Sequence, residues 1–143
     1  MKSLPTLALR ALALLALTAT AAFASPAVIG NKNLSGEKID AATLKSVFLG
    51  KKTSWDTAGG RVILAVLKSG PVADDFLKDA VDMTSSSFNN YWRRLAMTGG
   101  GTAPHSFEKE EDLRRYVAET PGAIGFVDSA SADASVVVLK PGA

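Results

Sequence analysis

Cysteine is absent from all 143 residues, and histidine occurs once, at His105. The first absence excludes disulfides, thiolate metal sites and a lipid anchor on cysteine. The two together argue against a His/Cys metal centre, so no metal ligand is assigned and no cofactor is expected. Charge of one sign is also lacking: 16 basic residues face 14 acidic ones. No basic patch of nucleic-acid type stands out, and no nucleic-acid partner is expected. There is no internal repeat, heptad run or low-complexity tail. No nucleophile–base motif can be recognised, so no catalytic residue is assigned and the protein is read as non-enzymatic.

Residues 1–24 read as a secretory signal peptide. Lys2 and Arg10 give a positive start, Leu7 to Phe23 is mostly apolar, and Ala22-Phe23-Ala24 is a small-x-small site. Cleavage is expected after Ala24. The alternative, a membrane anchor, fits less well, because the apolar core is short and a cleavage site follows. No later run is long and apolar enough to span a bilayer, so the processed chain would not cross a membrane. Loss of Lys2 and Arg10 leaves basic and acidic residues balanced at zero formal charge. An exported, Ala-rich, Cys-free chain points to a Gram-negative periplasm. Residues 25–143 make one small domain.

Taken in order, Pro26 to Asn31 is a short apolar strand, and Asn31 to Lys38 is a loop. Asp40 can cap a helix running to Leu49, with Leu44, Val47 and Phe48 on one face and Gly50 as its stop. Lys51 to Gly60 is polar and holds Trp55. Val62 to Leu67 is a continuous apolar, β-branched run, the pattern of a buried strand. A helix from Pro71 to Val81 buries Val72, Phe76, Leu77 and Ala80. After caps at Thr84 to Ser87, a helix over Phe88 to Met97 turns Tyr91, Trp92, Leu95 and Ala96 toward its apolar side. Ser106 is a candidate cap for a helix with an acidic first turn, Glu108 to Asp112, ending at Thr120-Pro121-Gly122. Ala123 to Val127 and Val136 to Leu139 are strands, with a turn over Ser129 to Ala134. The order is strand, helix, strand, three helices, two strands, and it predicts a single three-layer α/β sandwich with a mixed central sheet.

The chain is organised around Arg61 to Phe76. A buried strand ends at Lys68, then Ser69-Gly70-Pro71 opens a helix, with Ser69 as the expected N-cap and Pro71 near the first helical position. Free amides and the helix dipole make such a corner a candidate anion site, with Lys68 as point charge and Ser69 as hydroxyl donor. The plainer reading is a solvated lysine before a capped helix. A second candidate is the glycine-rich loop Thr98-Gly99-Gly100-Gly101, whose amides can wrap an anion. It lacks the strand-before, lysine-after context of a P-loop and also reads as a connector. Arg93-Arg94 and Lys51-Lys52 can flank an anion or simply form a solvated face.

Several runs together resemble the periplasmic phosphate-binding proteins, the solute receptors of phosphate ABC importers. These are Leu44-Lys45-Ser46-Val47-Phe48-Leu49-Gly50-Lys51, then Trp55, the apolar strand to Lys68, and Phe76. The second half resembles a short, stand-alone branch of that superfamily. It does so through Tyr91 to Gly101 with Pro104, YWRRLAMTGGG, and through Tyr116 to Asp128, YVAETPGAIGFVD. The resemblance spans about Val28 to Asp128. It implies one lobe of the type II periplasmic-binding fold. In two-lobed receptors the strand-to-helix turn reads R-x-D-G-S-G-T and phosphate sits between lobes. Here Lys68 stands in the arginine's place and Ser69 and Gly70 keep part of the donor set. The aspartate and threonine have no counterpart, and Pro71 lacks an amide.

The function implied is a secreted solute-binding-type protein taking phosphate or a similar oxyanion at Lys68, Ser69 and Gly70, alone or with a second chain completing the cleft. Lysine in place of arginine loses the bidentate fork, so affinity below that of a full receptor is expected. The alternative is an interaction or sensory accessory module that keeps the fold without the ligand. A transporter permease, a porin or a sensor are the partners considered.

Overall fold

The computed structural model describes residues 25–141; the expected signal segment 1–24 and residues 142–143 lie outside them. Five strands and four helices alternate along the chain: β1 (Pro26–Gly30), α1 (Ala41–Phe48), β2 (Ile63–Leu67), α2 (Pro71–Val81), α3 (Ser85–Met97), β3 (His105–Phe107), α4 (Glu110–Glu119), β4 (Ala123–Asp128) and β5 (Val137–Leu139). They form one sheet in the order β3-β2-β4-β1-β5. β2 runs parallel to β3 and β4, while β1 runs antiparallel to β4 and β5. The sheet is mixed, as expected.

The two faces are separated by strand alternation. Phe126 of β4 stacks on Phe76 of α2, with ring centroids 4.2 Å apart and planes 11° apart. Phe48 of α1 meets Phe76 edge-on at 5.0 Å. The neighbouring Gly125 faces the other way, toward Leu113 of α4, where a Cβ would come within 2.9 Å of Leu113 Cδ2. So α1 and α2 cover one face, with α3 packed on α2, and α4 covers the other. The connection β2–α2–α3–β3 moves outward over the first face. The connection β3–α4–β4 returns over the second, so both crossovers have the same hand.

Most expected elements are present, and the differences have local causes. His105–Phe107, expected as a loop leading to a cap at Ser106, is an edge strand paired with β2 through Ala65↔His105 and Leu67↔Phe107. Ser106 therefore caps nothing. α4 starts at Glu110 from Lys109, with no side-chain cap, and its acidic first turn is Glu110, Glu111 and Asp112. α3 starts three residues earlier than expected, because the Thr84 side chain accepts from the Ser87 amide at 3.0 Å. Ala96 on that helix is exposed rather than on its apolar side. Ser69 is not the N-cap of α2; Gly70 is.

Asn31 is a buried polar residue, 8 % exposed, that the loop assignment did not mark out. Its Nδ2 donates to Val117 O and Ala118 O, 2.9 and 3.1 Å, and so satisfies the carbonyl end of α4. Gly122, at φ 85°, follows this helix end; a Cβ there would lie 2.5 Å from Arg61 O. Its own carbonyl accepts from the Trp55 indole at 2.9 Å and from the Ile63 amide at 3.1 Å.

Phe126→Ala should destabilise the fold by about 3–5 kcal/mol, since it removes the ring shared by α1 and α2; urea denaturation would measure it as a lower midpoint. The Asp40 carboxylate accepts from the Thr43 amide at 2.7 Å, and this holds it below its ordinary value of 3.8. A depressed carboxyl stabilises the fold above its unfolded value and loses that contribution as pH falls through the folded one. Asp40→Ala should therefore lower the urea midpoint at pH 7, with the gap to the parent protein closing as pH drops below 3.8.

Candidate functional site

The parallel strands β2, β3 and β4 end at one edge of the sheet, and the helix N-termini of α2 and α4 lie there with them. From β2 the chain leaves toward the α1–α3 face. From β4 it leaves through a 3-10 turn, Ser129–Ser131, toward the α4 face, where Arg114 Nη1 donates to Ser131 O at 2.8 Å. β2 and β4 are adjacent. Adjacent parallel strands whose exits diverge leave a crevice beyond their carboxyl ends, the usual ligand position in open α/β sheets.

Lys68, Ser69 and Gly70 stand at the carboxyl end of β2, beside this switch point. The Lys68 amide donates to Phe107 O at 2.9 Å, tying the corner to β3. Its ammonium lies 3.6 Å from Glu108 Oε2, and the side chain is 55 % exposed. Ser69 is exposed. Gly70 has φ 105° and ψ 171°, a region open to glycine and closed to other residues. Its carbonyl accepts from the Asp74 amide at 2.9 Å, and Pro71 takes the first helical position without losing a needed donor. No side chain caps α2. The amides of Val72 and Ala73 are therefore the uncapped donors of its first turn. Chemically this is an exposed cation and hydroxyl at an uncapped helix start, with one carboxylate already beside the cation; Val72 and Ala73, which carry the first-turn amides, are buried.

The second candidate loop lies elsewhere. It precedes β3, so it sits at the opposite end of the parallel strands, roughly 15 Å away along β2. The amides of Thr98, Gly99 and Gly100 donate to Arg94 O, Ala96 O and Leu95 O, at 3.1, 3.2 and 2.8 Å. Three of the four amides thus close the end of α3, and the loop folds onto Leu95 and Trp92. Gly101 alone lines a cleft. Arg93 and Arg94 are exposed, and Arg93 Nη1 donates to Asn90 Oδ1 at 2.9 Å. Lys52 pairs with Asp56 at 3.0 Å. His105 is exposed and lies against Tyr116, with centroids 4.8 Å apart. Among the described residues no group of three His, Asp or Glu side chains is placed to hold a metal.

Sequence reasoning missed one member of the corner, Glu108, and the capping role of another, Gly70. Glu108 read as a helix-start residue and became the partner of Lys68 only because β3 aligns beside β2. Gly70 was overlooked as the cap in favour of its neighbour. The signal for it was the Gly-Pro pair, a glycine directly before a proline at the first helical position.

No family model and no curated protein matches the sequence. Solved structures do match the fold. An ABC-type phosphate transport receptor from Vibrio cholerae aligns with TM-score 0.54 and 15% identity over 83% of this chain and 46% of its own. A protein described as a phosphate ABC transporter substrate-binding protein, with bound phosphate, from Clostridium perfringens aligns with TM-score 0.64 and 16% identity over 84% and 46%. A candidate phosphate-binding protein from Planctomyces limnophilus aligns with TM-score 0.58 and 12% identity over 83% and 42%. The chain has the α/β fold of solute-binding proteins of this kind. It spans less than half the length of each of them.

Gly70→Ala should cost about 1–3 kcal/mol although no atom lies within 4 Å of the added Cβ, because the cost is backbone conformation alone. Chemical denaturation checks the stability, and an unchanged midpoint would mean the corner relaxes freely.

Proposed function

We propose that this protein is a periplasmic, non-enzymatic solute-binding-type protein that takes phosphate or a similar oxyanion at the β2–α2 corner. The observation that carries the reading is the uncapped start of α2. Gly70 and Pro71 leave the helix end without a side-chain acceptor, with the exposed Lys68 and Ser69 beside it. The likeness of fold to phosphate receptors supports it, as does the absence of any helix among the described residues long and apolar enough to cross a membrane. The expectation of export rests on reading residues 1–24 as a signal segment.

Glu108 sets the terms of binding. An incoming oxyanion competes with it for Lys68 or draws the ammonium away, and a lysine point charge lacks the fork that arginine offers. A monomer therefore binds weakly, and a second chain covering the corner, such as a transporter permease, raises affinity by excluding water. The Lys68–Glu108 pair also favours a second reading, an accessory module for a porin or sensor protein that keeps the fold without the ligand, since the lysine already has an internal partner.

Isothermal titration with inorganic phosphate separates the two. The first reading expects a saturable heat with Kd in the micromolar to millimolar range, about −4 to −8 kcal/mol. Lys68→Ala should weaken it by about tenfold or more, the loss of one charge-assisted contact. No heat at millimolar phosphate, or identical heats for both proteins, would leave the accessory-module reading standing.

A further inference from the structure

At the opposite end of the parallel strands the structure holds a second feature, independent of the Lys68 corner. A cleft of about 270 Å³ opens between the Lys52–Ile63 segment, the end of α3 and the loop before β3. Its basic lining consists of Lys52, Arg61 and His105, and no aspartate or glutamate lines it. Lys52 is held by Asp56 at 3.0 Å, whose carboxylate lies outside the lining and is largely exposed. Arg61 makes no ion pair among the described residues. In a chain whose described basic and acidic residues balance, the two cations Lys52 and Arg61 at one cleft, with the single acid Asp56 opposing them, leave a local positive field.

The floor has a different character. Val47, Ile63 and Trp92 line it; Ile63 is half-buried, Val47 is fully buried, and Trp92 shows only an edge. The indole is fixed, because Trp92 Nε1 donates to Phe48 O at 3.0 Å. Gly50 and Gly101 bracket its ring, where added Cβ atoms would come within 2.7 and 3.3 Å. Thr53 is anchored as well, its carbonyl accepting from the Val62 amide at 2.9 Å. Thr53 and Thr102 add hydroxyls to the rim. A cleft with a rigid apolar floor and a few converging polar groups has the makeup of a small-molecule site, here just below the usual range of about 300–1,000 Å³, about the size of one ring and a headgroup.

We propose that this cleft binds a small organic anion, with its acidic group at Arg61 and Lys52 and its apolar body over Trp92. Bare inorganic phosphate leaves the floor uncovered and gains less. The acidic group is a carboxylate or a phosphate ester, which the guanidinium accepts alike.

The test is an NMR titration of the purified protein with benzoate, with phenyl phosphate and with inorganic phosphate, following backbone amides and the Trp92 indole. At least one aromatic anion should shift Thr53, Gly101, Thr102 and the indole saturably below ~10 mM, and inorganic phosphate should shift them several-fold less, roughly as ring burial adds to headgroup binding. The probe that binds more tightly identifies the acidic group. Arg61→Gln should weaken binding about fivefold or more, and Lys68→Ala should leave it within about twofold. Well-dispersed spectra establish that both variants fold. No saturable shift from either aromatic probe, equal affinity in Arg61→Gln, or shifts confined to Lys68–Ala73 would each overturn the proposal.

Discussion

The stack of Phe76 on Phe126 sets the position of everything on one side of the molecule. Phe126 stands near the centre of β4, which is itself the central strand of the sheet. Phe76 stands in the second turn of α2, so the contact fixes how far that helix slides along β2. Phe48 closes the triangle and draws α1 against α2. Three rings buried together contribute area and ring–ring geometry at once. The start of α2 is held at the end of β2 by a contact about one turn along the helix. The other face uses a different device. Gly125 lets Leu113 approach the sheet, and Asn31 ties off the carbonyl end of α4.

These anchors give the two ends of the parallel strands opposite roles. At the carboxyl end, helix N-termini converge and the chain exits to both faces. The proposed corner there depends on backbone conformation at Gly70 and Pro71, set by φ and ψ rather than by side-chain identity. At the amino end, the cations Lys52 and Arg61 are side chains carried on the segment before β2, with the His105 imidazole on an edge strand, around a tryptophan that belongs to the core. A backbone site tolerates sequence change if Gly70 and Pro71 stay. A side-chain site is specified residue by residue at Lys52, Arg61 and His105.

That contrast explains what was legible in advance. The layers, the mixed sheet and nearly every helix follow from apolar runs and breakers: Ile63 to Leu67 is apolar throughout, and Gly-Pro opens α2. The strand β3 was not legible. His105-Ser106-Phe107 is three residues long, polar and at the sheet edge, so it owes its conformation to pairing with β2 and not to its own pattern. The Lys68–Glu108 pair was hidden for the same reason. The Thr98 loop misled because glycine serves two purposes. It can expose amides to an anion, and it can also let amides turn back to close a helix, as Gly99 and Gly100 do here. Asn31 read as a loop residue because sequence does not reveal that the end of α4 comes to rest on it.

The Lys68 corner then poses a question of dielectric rather than of donors. A lysine half exposed to water, opposite an oxyanion at about 4 Å, gains about 1 kcal/mol; with an effective dielectric near 20 the same pair gains about 4 kcal/mol. The donors need not change between the two cases, only the surface above them. In this chain nothing among the described residues covers the corner, and Glu108, itself exposed, already takes part of the available field. Screening by salt weakens both the internal pair and its competitor, so added salt alone does not favour the ligand. What favours it is a covering surface that excludes water and does not repel the oxyanion. The chain spans under half of each receptor whose fold it shares. On the proposed reading, occupancy of the corner would therefore depend on whatever closes over β2 and α2 more than on replacing Lys68 with a better cation.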